Sequence, residues 1–125
     1  GGICGNIESS SSSLANNITI QNCSVQSLSV DFEDANVTKI QLGGIAGHLY
    51  LFGGIDAYIR NSFVQNLIFN ANVTSNTGIG GILGYKEHTA DERIKLGTPY
   101  VYIENCYTTG KINTYNNAGR NTWIR

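Results

Sequence analysis

The sequence predicts an all-β fold, a parallel β-solenoid of about three coils, and three observations support this prediction. A Gly-Gly-Ile-x-Gly motif occurs three times, at residues 1–5, 43–47 and 80–84. A second motif, Ile-x-Asn followed by Cys or Ser, alternates with the first and begins at residues 20, 59 and 103. Strand-forming residues flank the second motif in every copy, whereas no stretch shows helical periodicity.

The two alternating motifs divide the chain into three copies of one unit, at 1–42, 43–79 and 80–125. A unit of a few short strands cannot bury its own apolar face, so it must stack on its neighbours. The 125 residues are also the length of one domain. We therefore predict a single solenoid segment built from three stacked repeats.

Stacking brings like residues into columns with a spacing of about 4.8 Å. The isoleucines of the first motif are predicted to form an aliphatic ladder in the core: Ile3, Ile45 and Ile82. The asparagines of the second motif are predicted to form a ladder at a corner: Asn22, Asn61 and Asn105. Asparagine suits a corner because it tolerates the left-handed backbone conformation, and stacked amides can hydrogen-bond along the column.

The composition excludes several classes of protein. Charged residues make up 14% of the chain and the net charge is -1, so there is no basic surplus for binding nucleic acid. The longest weakly polar run, 42–55, is too short to span a membrane. The 15 Gly, the 15 Asn and the single Pro suit short strands with many turns. Because the chain has no Met and begins on a repeat, we expect it to belong to a longer protein or a stacked assembly.

Three cysteines leave at least one thiol unpaired within the chain. Cys23 and Cys106 occupy the same column two rungs apart, at about 9.6 Å, which exceeds the Cα separation of about 7 Å that a disulfide allows. Cys4 aligns with Ala46 and Leu83 and is predicted to be a small buried residue. We expect three buried thiols and no bridge.

Residues 103–110, Ile-Glu-Asn-Cys-Tyr-Thr-Thr-Gly, together with 80–84, Gly-Gly-Ile-Leu-Gly, resemble the GLUG-type repeat. The resemblance covers nearly the whole chain in three copies, although copies one and two lack the Tyr-x-Thr-Gly part. It implies a right-handed parallel β-helix in a secreted or surface-anchored protein, such as an adhesin or a surface stalk. It implies no catalytic residues.

Four Asn-x-Ser/Thr sequons occur, and three are candidate glycosylation sites: Asn17, Asn36 and Asn72. Asn36 and Asn72 are favoured because we predict that each lies between strands. The fourth sequon, at Asn22, is predicted to be blocked by the asparagine ladder. Glycans at these positions would agree with an extracellular or cell-surface location.

No group of residues predicts a cofactor, a metal site or a catalytic centre. The acidic cluster 31–34 lacks the alternating oxygen ligands and the glycine of a calcium loop. Polysaccharide lyases and hydrolases with this fold need two or three converging carboxylates. Asp31, Asp34 and Asp56 are the residues whose separations would test that alternative.

The third copy carries two candidate recognition features. Residues 85–98 are predicted to form a projecting loop, because the extra length of this copy lies there. Its charged residues are Lys86, Glu87, Asp91, Glu92, Arg93 and Lys95. Exposed aromatic side chains that could stack on sugar rings are Tyr100, Tyr102 and Trp123.

The sequence thus favours a non-enzymatic extracellular structural or adhesive module. Such a module would stack end to end with copies of itself, or with flanking repeats, to form a filament or a stalk. An adhesin segment that binds host or surface glycans, or another receptor, is the first alternative. A polysaccharide-processing enzyme is the second.

Overall fold

A computed structural model of the protein describes residues 1–9, 17–37, 39–73, 77–89, 97–115 and 122–124. Within these ranges, the side chains at 33–37, 72–73, 77, 89, 115 and 122–124 are outside the described part. The described residues contain strands and no helix, which confirms the prediction of an all-β fold with parallel sheets. No described helix is long and apolar enough to cross a membrane.

Thirteen strands are described, and we group them into three tiers along the chain. Tier 1 contains β1 (Cys4–Glu8), β2 (Ile18–Gln21), β3 (Ser24–Gln26), β4 (Ser29–Val37) and β5 (Ile40–Gly43). Tier 2 contains β6 (Ala46–Phe52), β7 (Ala57–Arg60), β8 (Phe63–Val73) and β9 (Thr77–Gly80). Tier 3 contains β10 (Leu83–Thr89), β11 (Val101–Glu104), β12 (Tyr107–Tyr115) and β13 (Thr122–Ile124).

Four parallel sheets connect the tiers, and a strand of tier 2 lies in the middle of each. Sheet A has the order β1-β6-β10, sheet B β2-β7-β11 and sheet D β5-β9-β13. In sheet C, β8 pairs with β12 on one side and with β3 and then β4 on the other. The register aligns like residues, so that Ile59 pairs with both Ile20 and Ile103.

Most of the buried core lies in tier 2, with Ile20 and Ile40 of tier 1 joining it, because among the described strands only those of tier 2 are paired on both sides. Ile45, Ile59 and Phe69 are fully buried. The sequence placed Ile3 and Ile82 in the core with Ile45, and this is wrong for Ile3, which is 44% exposed, while Ile82 is only partly buried. Both belong to the column, since the amide of Ile3 donates to Ile45 O and that of Ile45 to Ile82 O. They are less buried because their tiers have a neighbour on one side only.

Glycines of the first motif allow the chain to turn sharply between sheets D and A. A Cβ atom on Gly43 would overlap the carbonyl oxygen of Ala46, and one on Gly44 would overlap that of Gly81. No side chain fits at either position, because backbone atoms cannot move aside as a flexible side chain can. The repeated glycine pair is therefore a steric requirement of the turn.

Two sequence predictions about loops are wrong. The charged segment 85–98 does not begin as a loop, because Lys86 and Glu87 lie within β10. Its other charged residues, Asp91, Glu92, Arg93 and Lys95, lie outside the described residues. Asn36 and Asn72 do not lie between strands either, since they belong to β4 and β8. Both strands run further than the sequence pattern indicated.

We predict that Gly43→Ala lowers the free energy of unfolding by about 1–3 kcal/mol, the usual cost of forcing extra atoms into a packed site. The matched control is Gly5→Ala, because a Cβ atom on Gly5 would meet nothing within 4 Å. Urea unfolding of both variants measures the effect. Equal stability of the two variants would show that the turn has room for a side chain.

Candidate interaction surface

The asparagines of the second motif lie at a corner between sheets B and C. Asn22, Asn61 and Asn105 adopt positive φ angles of 56°, 47° and 52°. The side chains of two of them are joined, because Asn105 Nδ2 donates to Asn61 Oδ1 at 3.2 Å. These residues therefore turn the chain from sheet B into sheet C in every tier, and Asn61 and Asn105 link tiers 2 and 3 across the corner.

The residue after each asparagine closes the corner with its own side chain. Ser62 Oγ donates to Arg60 O at 2.7 Å, Cys23 Sγ to Gln21 O at 3.3 Å and Cys106 Sγ to Glu104 O at 3.2 Å. Ser62 Oγ also accepts from the amide of Cys23, at 3.1 Å. A small side chain with one donor is thus required in this column. The three cysteines are free, and all are half-buried rather than fully buried as the sequence suggested.

The outer face of sheet B carries two cross-strand pairs of large side chains. The rings of Tyr58 and Tyr102 stack with their centroids 4.9 Å apart and their planes 11° apart. Arg60 lies with its Cζ 4.1 Å from the Tyr58 centroid, and its Nε is 2.6 Å from Glu104 Oε2. Together they form a half-exposed array in which the aromatic and ionic contacts support one another.

Tyr100 extends this array toward the edge of tier 3. It precedes β11, is 61% exposed, and has its ring centroid 6.3 Å from that of Tyr102. Its amide donates to Asp56 Oδ1 at 2.8 Å, so Asp56 fixes the chain at this point. Trp123, grouped with these tyrosines in the sequence, lies in β13 of sheet D, whereas Tyr102 lies in sheet B. Because it lies in a different sheet, Trp123 does not belong to the row that Tyr100 and Tyr102 form.

The structure reveals further ladders that the motifs did not indicate. Phe63 and Tyr107 stack at 5.2 Å with planes 4° apart, and Asn113 Nδ2 donates to Asn70 Oδ1 at 2.8 Å. Both pairs lie in sheet C, where β12 is in register with β8 apart from a shift between Thr108 and Gly110. Aligning the copies through the second motif would have found Phe63 and Tyr107. The shift hides the asparagine pair from such an alignment.

A cavity of about 590 Å³ opens at the free edge of tier 3. Its apolar walls come from Ile82, Leu83, Val101 and Ile103, with Pro99 at its base. In tier 2, the positions in register with Val101 and Ile103 are fully buried. The cavity is therefore the core column of tier 3, open where a further tier would cover it.

Lys86 brings a charged group into this cavity. It pairs in register with Leu49, which is fully buried, so it occupies a core column. Its Nζ donates to Pro99 O at 2.9 Å and lies 3.3 Å from His88 Nδ1. The first charged residue of the segment predicted to be a recognition loop thus lies in a strand and lines the apolar cavity.

Glu87 lies on the opposite face of β10, beside His48 of sheet A. Burial lowers the pKa of His48, and the Glu87 carboxylate, with Oε2 at 3.6 Å from Nε2, opposes that shift without cancelling it. Lys39 lowers the pKa of His48 further, whereas Glu8 raises it. His48 is therefore neutral at pH 7 and does not compensate the charge of Glu87.

The remaining candidate residues do not converge on one site. Asn17 is exposed and accepts a hydrogen bond from the Asp56 amide at 3.2 Å. Asp31 lies in β4 of sheet C, whereas Asp56 directly precedes β7 of sheet B, and the side chain of Asp34 is outside the described part. Among the described residues, no group of three or more His, Cys, Asp or Glu side chains could hold a metal ion.

Comparison with known proteins yields no assignment. No family model, curated protein or solved structure matches the chain. The function of the protein must therefore be inferred from its own residues and their geometry.

We predict that Asn61→Ala lowers the free energy of unfolding by about 1–2 kcal/mol, the cost of the left-handed conformation for an ordinary L residue. The Asn61→Gly variant keeps the backbone conformation available and loses the amide contact to Asn105. It should cost less than the alanine variant. Thermal and urea unfolding compare the two variants. Equal losses in the two variants would assign the stabilisation to the ladder rather than to the turn, because both variants lack the amide that Asn105 contacts.

Proposed function

We propose that the protein is a structural repeat module, a right-handed parallel β-helix in which each tier is one coil. The observation that carries this proposal is the parallel register of all four sheets, which aligns the repeated motifs from tier to tier. Such a fold gives a stiff, extendable rod whose length follows the number of coils. The handedness and the GLUG-type relationship are part of this proposal.

A non-enzymatic role agrees with what the described acidic side chains do. Asp56 holds the amide of Tyr100, Glu104 pairs with Arg60, and Glu87 lies beside His48. The carboxylates of Asp56 and Glu104 thus each connect tier 2 to tier 3. We infer an extracellular or cell-surface location from the sequons and from the resemblance to surface repeats, with Asn17 exposed to accept a glycan.

A decisive test is to add a coil. Inserting a second copy of residues 43–79 after residue 79 should give a four-coil protein that is more stable, because every added coil contributes an interface with its neighbours. The urea m-value should rise by about 30%, since it scales with the surface exposed on unfolding. The midpoint of unfolding should also increase.

The control inserts the same 37 residues (43–79) in shuffled order at the same position. It keeps the length and composition but breaks the columns. If both insertions destabilise the protein equally, the tiers do not behave as interchangeable coils and the proposal fails.

Binding of neutral glycans is a second candidate function, supported by the exposed rings of Tyr100 and Tyr102. Apolar faces of sugar rings pack on aromatic rings, and flanking charged groups accept and donate hydrogen bonds to hydroxyls. Asp56, Arg60 and Glu104 surround the two rings and supply such groups.

We predict that cellotriose or chitotriose gives saturation-transfer NMR signals with the protein, and that a Tyr100→Ala/Tyr102→Ala double variant removes most of the signal. The Tyr107→Ala variant is the control, because Tyr107 is similarly exposed but stacks on Phe63 in sheet C. Absence of signal for both sugars, or equal loss in the control, would contradict glycan binding at this face.

A further inference from the structure

We propose that the free edge of tier 3 binds the free edge of tier 1 from a second copy of this chain, head to tail. This inference rests on the β-helix proposed above and adds the identity of the partner, the pairing across the junction and the charges that weaken it. The contact is heterologous, so each copy uses two different surfaces.

Both edges expose side chains that belong to core columns. Ile103, at the tier 3 edge, is 49% exposed, and Ile3, at the tier 1 edge, is 44% exposed. Ile45 and Ile59, their counterparts in tier 2, are fully buried. The edge strands also pair on one side only within the described part of the chain. Among the described residues, nothing covers the apolar side chains of either edge or pairs with its outer backbone groups.

Continuing the observed register by one tier matches the two edges residue by residue. The tier 2 positions Ile59, Ala57 and Phe69 each pair with one residue of tier 1 and one of tier 3. The same columns would join these pairs across the junction: Ile103 with Ile20, Val101 with Ile18, Ile112 with Val30, and Asn105 with Asn22. Ile18 and Ile20 of the second copy would then enter the apolar cavity, and its Asn22 would extend the corner ladder beyond Asn105.

This match selects a second copy over an unrelated partner. An arbitrary apolar ligand could fill the cavity between Ile82 and Ile103, but it would leave the strand edges unpaired. A tier 1 edge fills the cavity and pairs the backbone in the same four parallel sheets. A small apolar ligand, or another part of the same chain, would instead leave the protein monomeric at every concentration.

Two columns are mismatched at the junction. The column through Tyr50 contains Glu8 in tier 1 and Glu87 in tier 3, so two carboxylates would face each other. The column through Leu49 contains Ile7 and Lys86, so an ammonium would face an isoleucine. Like charges placed directly opposite in adjacent strands destabilise the pairing. The structure therefore assigns a weak, concentration-dependent association that removal of either carboxylate strengthens.

The first experiment blocks each edge separately and measures mass by sedimentation velocity over a concentration series. Ile103→Lys should abolish association, and so should Ile3→Lys. Ile68→Lys is the matched control, because Ile68 is 42% exposed but lies in tier 2, away from both edges. Circular dichroism checks that all three variants retain the β fold.

Mixing the two blocked variants makes the test specific. The Ile103→Lys chain keeps its tier 1 edge, and the Ile3→Lys chain keeps its tier 3 edge, so the mixture should form discrete dimers and nothing larger. A contact between two identical edges would give no such rescue. Monomers at all concentrations for the unmodified chain, or dimers that survive both substitutions, would overturn the proposal.

The second experiment is a double-variant cycle on the mismatched carboxylates. Glu8→Gln and Glu87→Gln should each tighten association about two- to fivefold, and the double variant should gain little more, because either change removes the same repulsion. Glu104→Gln is the control, since its column ends in Gln21 and not in a carboxylate. Full additivity of the two changes would place Glu8 and Glu87 in separate environments and refute the junction.

The β-helix and the head-to-tail contact predict different outcomes for the four-coil insertion. A four-coil insertion that stabilises a strictly monomeric protein would keep the β-helix and reject the head-to-tail contact. An insertion that destabilises the protein would reject the β-helix itself, whatever its oligomeric state.

Discussion

Parallel, in-register pairing between tiers is the constraint on which the rest of the structure depends. It requires each residue type to be acceptable beside its own counterpart in the next tier, about 4.8 Å away. Isoleucine, asparagine and small hydroxyl or thiol side chains meet this condition, and they occupy the repeated columns. Charged residues meet it only in complementary pairs, as Arg60 and Glu104 do. The low charge of the chain follows from this requirement.

The corner and the glycine turn satisfy the same constraint in two ways. At the corner, a left-handed asparagine such as Asn61 turns the chain from sheet B into sheet C, and the side chain of the next residue closes the turn with a hydrogen bond. At the glycine pair, close backbone contact leaves no space for a Cβ atom, as at Gly43. The asparagine corner is local, whereas the glycine pair also depends on the next repeat, since a Cβ atom on Gly44 would overlap the carbonyl oxygen of Gly81. The tiers then align because their turns are equivalent.

Stability and interaction are divided between the middle and the edges of the stack. Tier 2 is covered on both sides and supplies the fully buried residues, including Phe69 and Ile59. Tiers 1 and 3 carry the same kinds of residues with one face open, so their core columns become surfaces. Lys86 occupies a core column at the tier 3 edge and Glu87 lies on the opposite face of the same strand, so this edge carries charge beside its apolar side chains. The aromatic array of sheet B reaches the same edge, because Tyr100 both contacts Tyr102 and lines the cavity.

The sequence alone determined the all-β class and the alignment of Ile20, Ile59 and Ile103, because motif spacing fixes which residues can share a column. Local chemistry was equally readable: the asparagine of the second motif, before Cys or Ser, forms the same left-handed turn in all three tiers. Tertiary structure decided what depends on having a neighbouring tier. Ile3 and Ile45 have the same motif position, yet one is exposed and the other buried, since burial depends on the tiers above and below. The long strands that contain Asn36 and Asn72, and the register shift near Gly110, are likewise set by pairing between distant residues that no local pattern records.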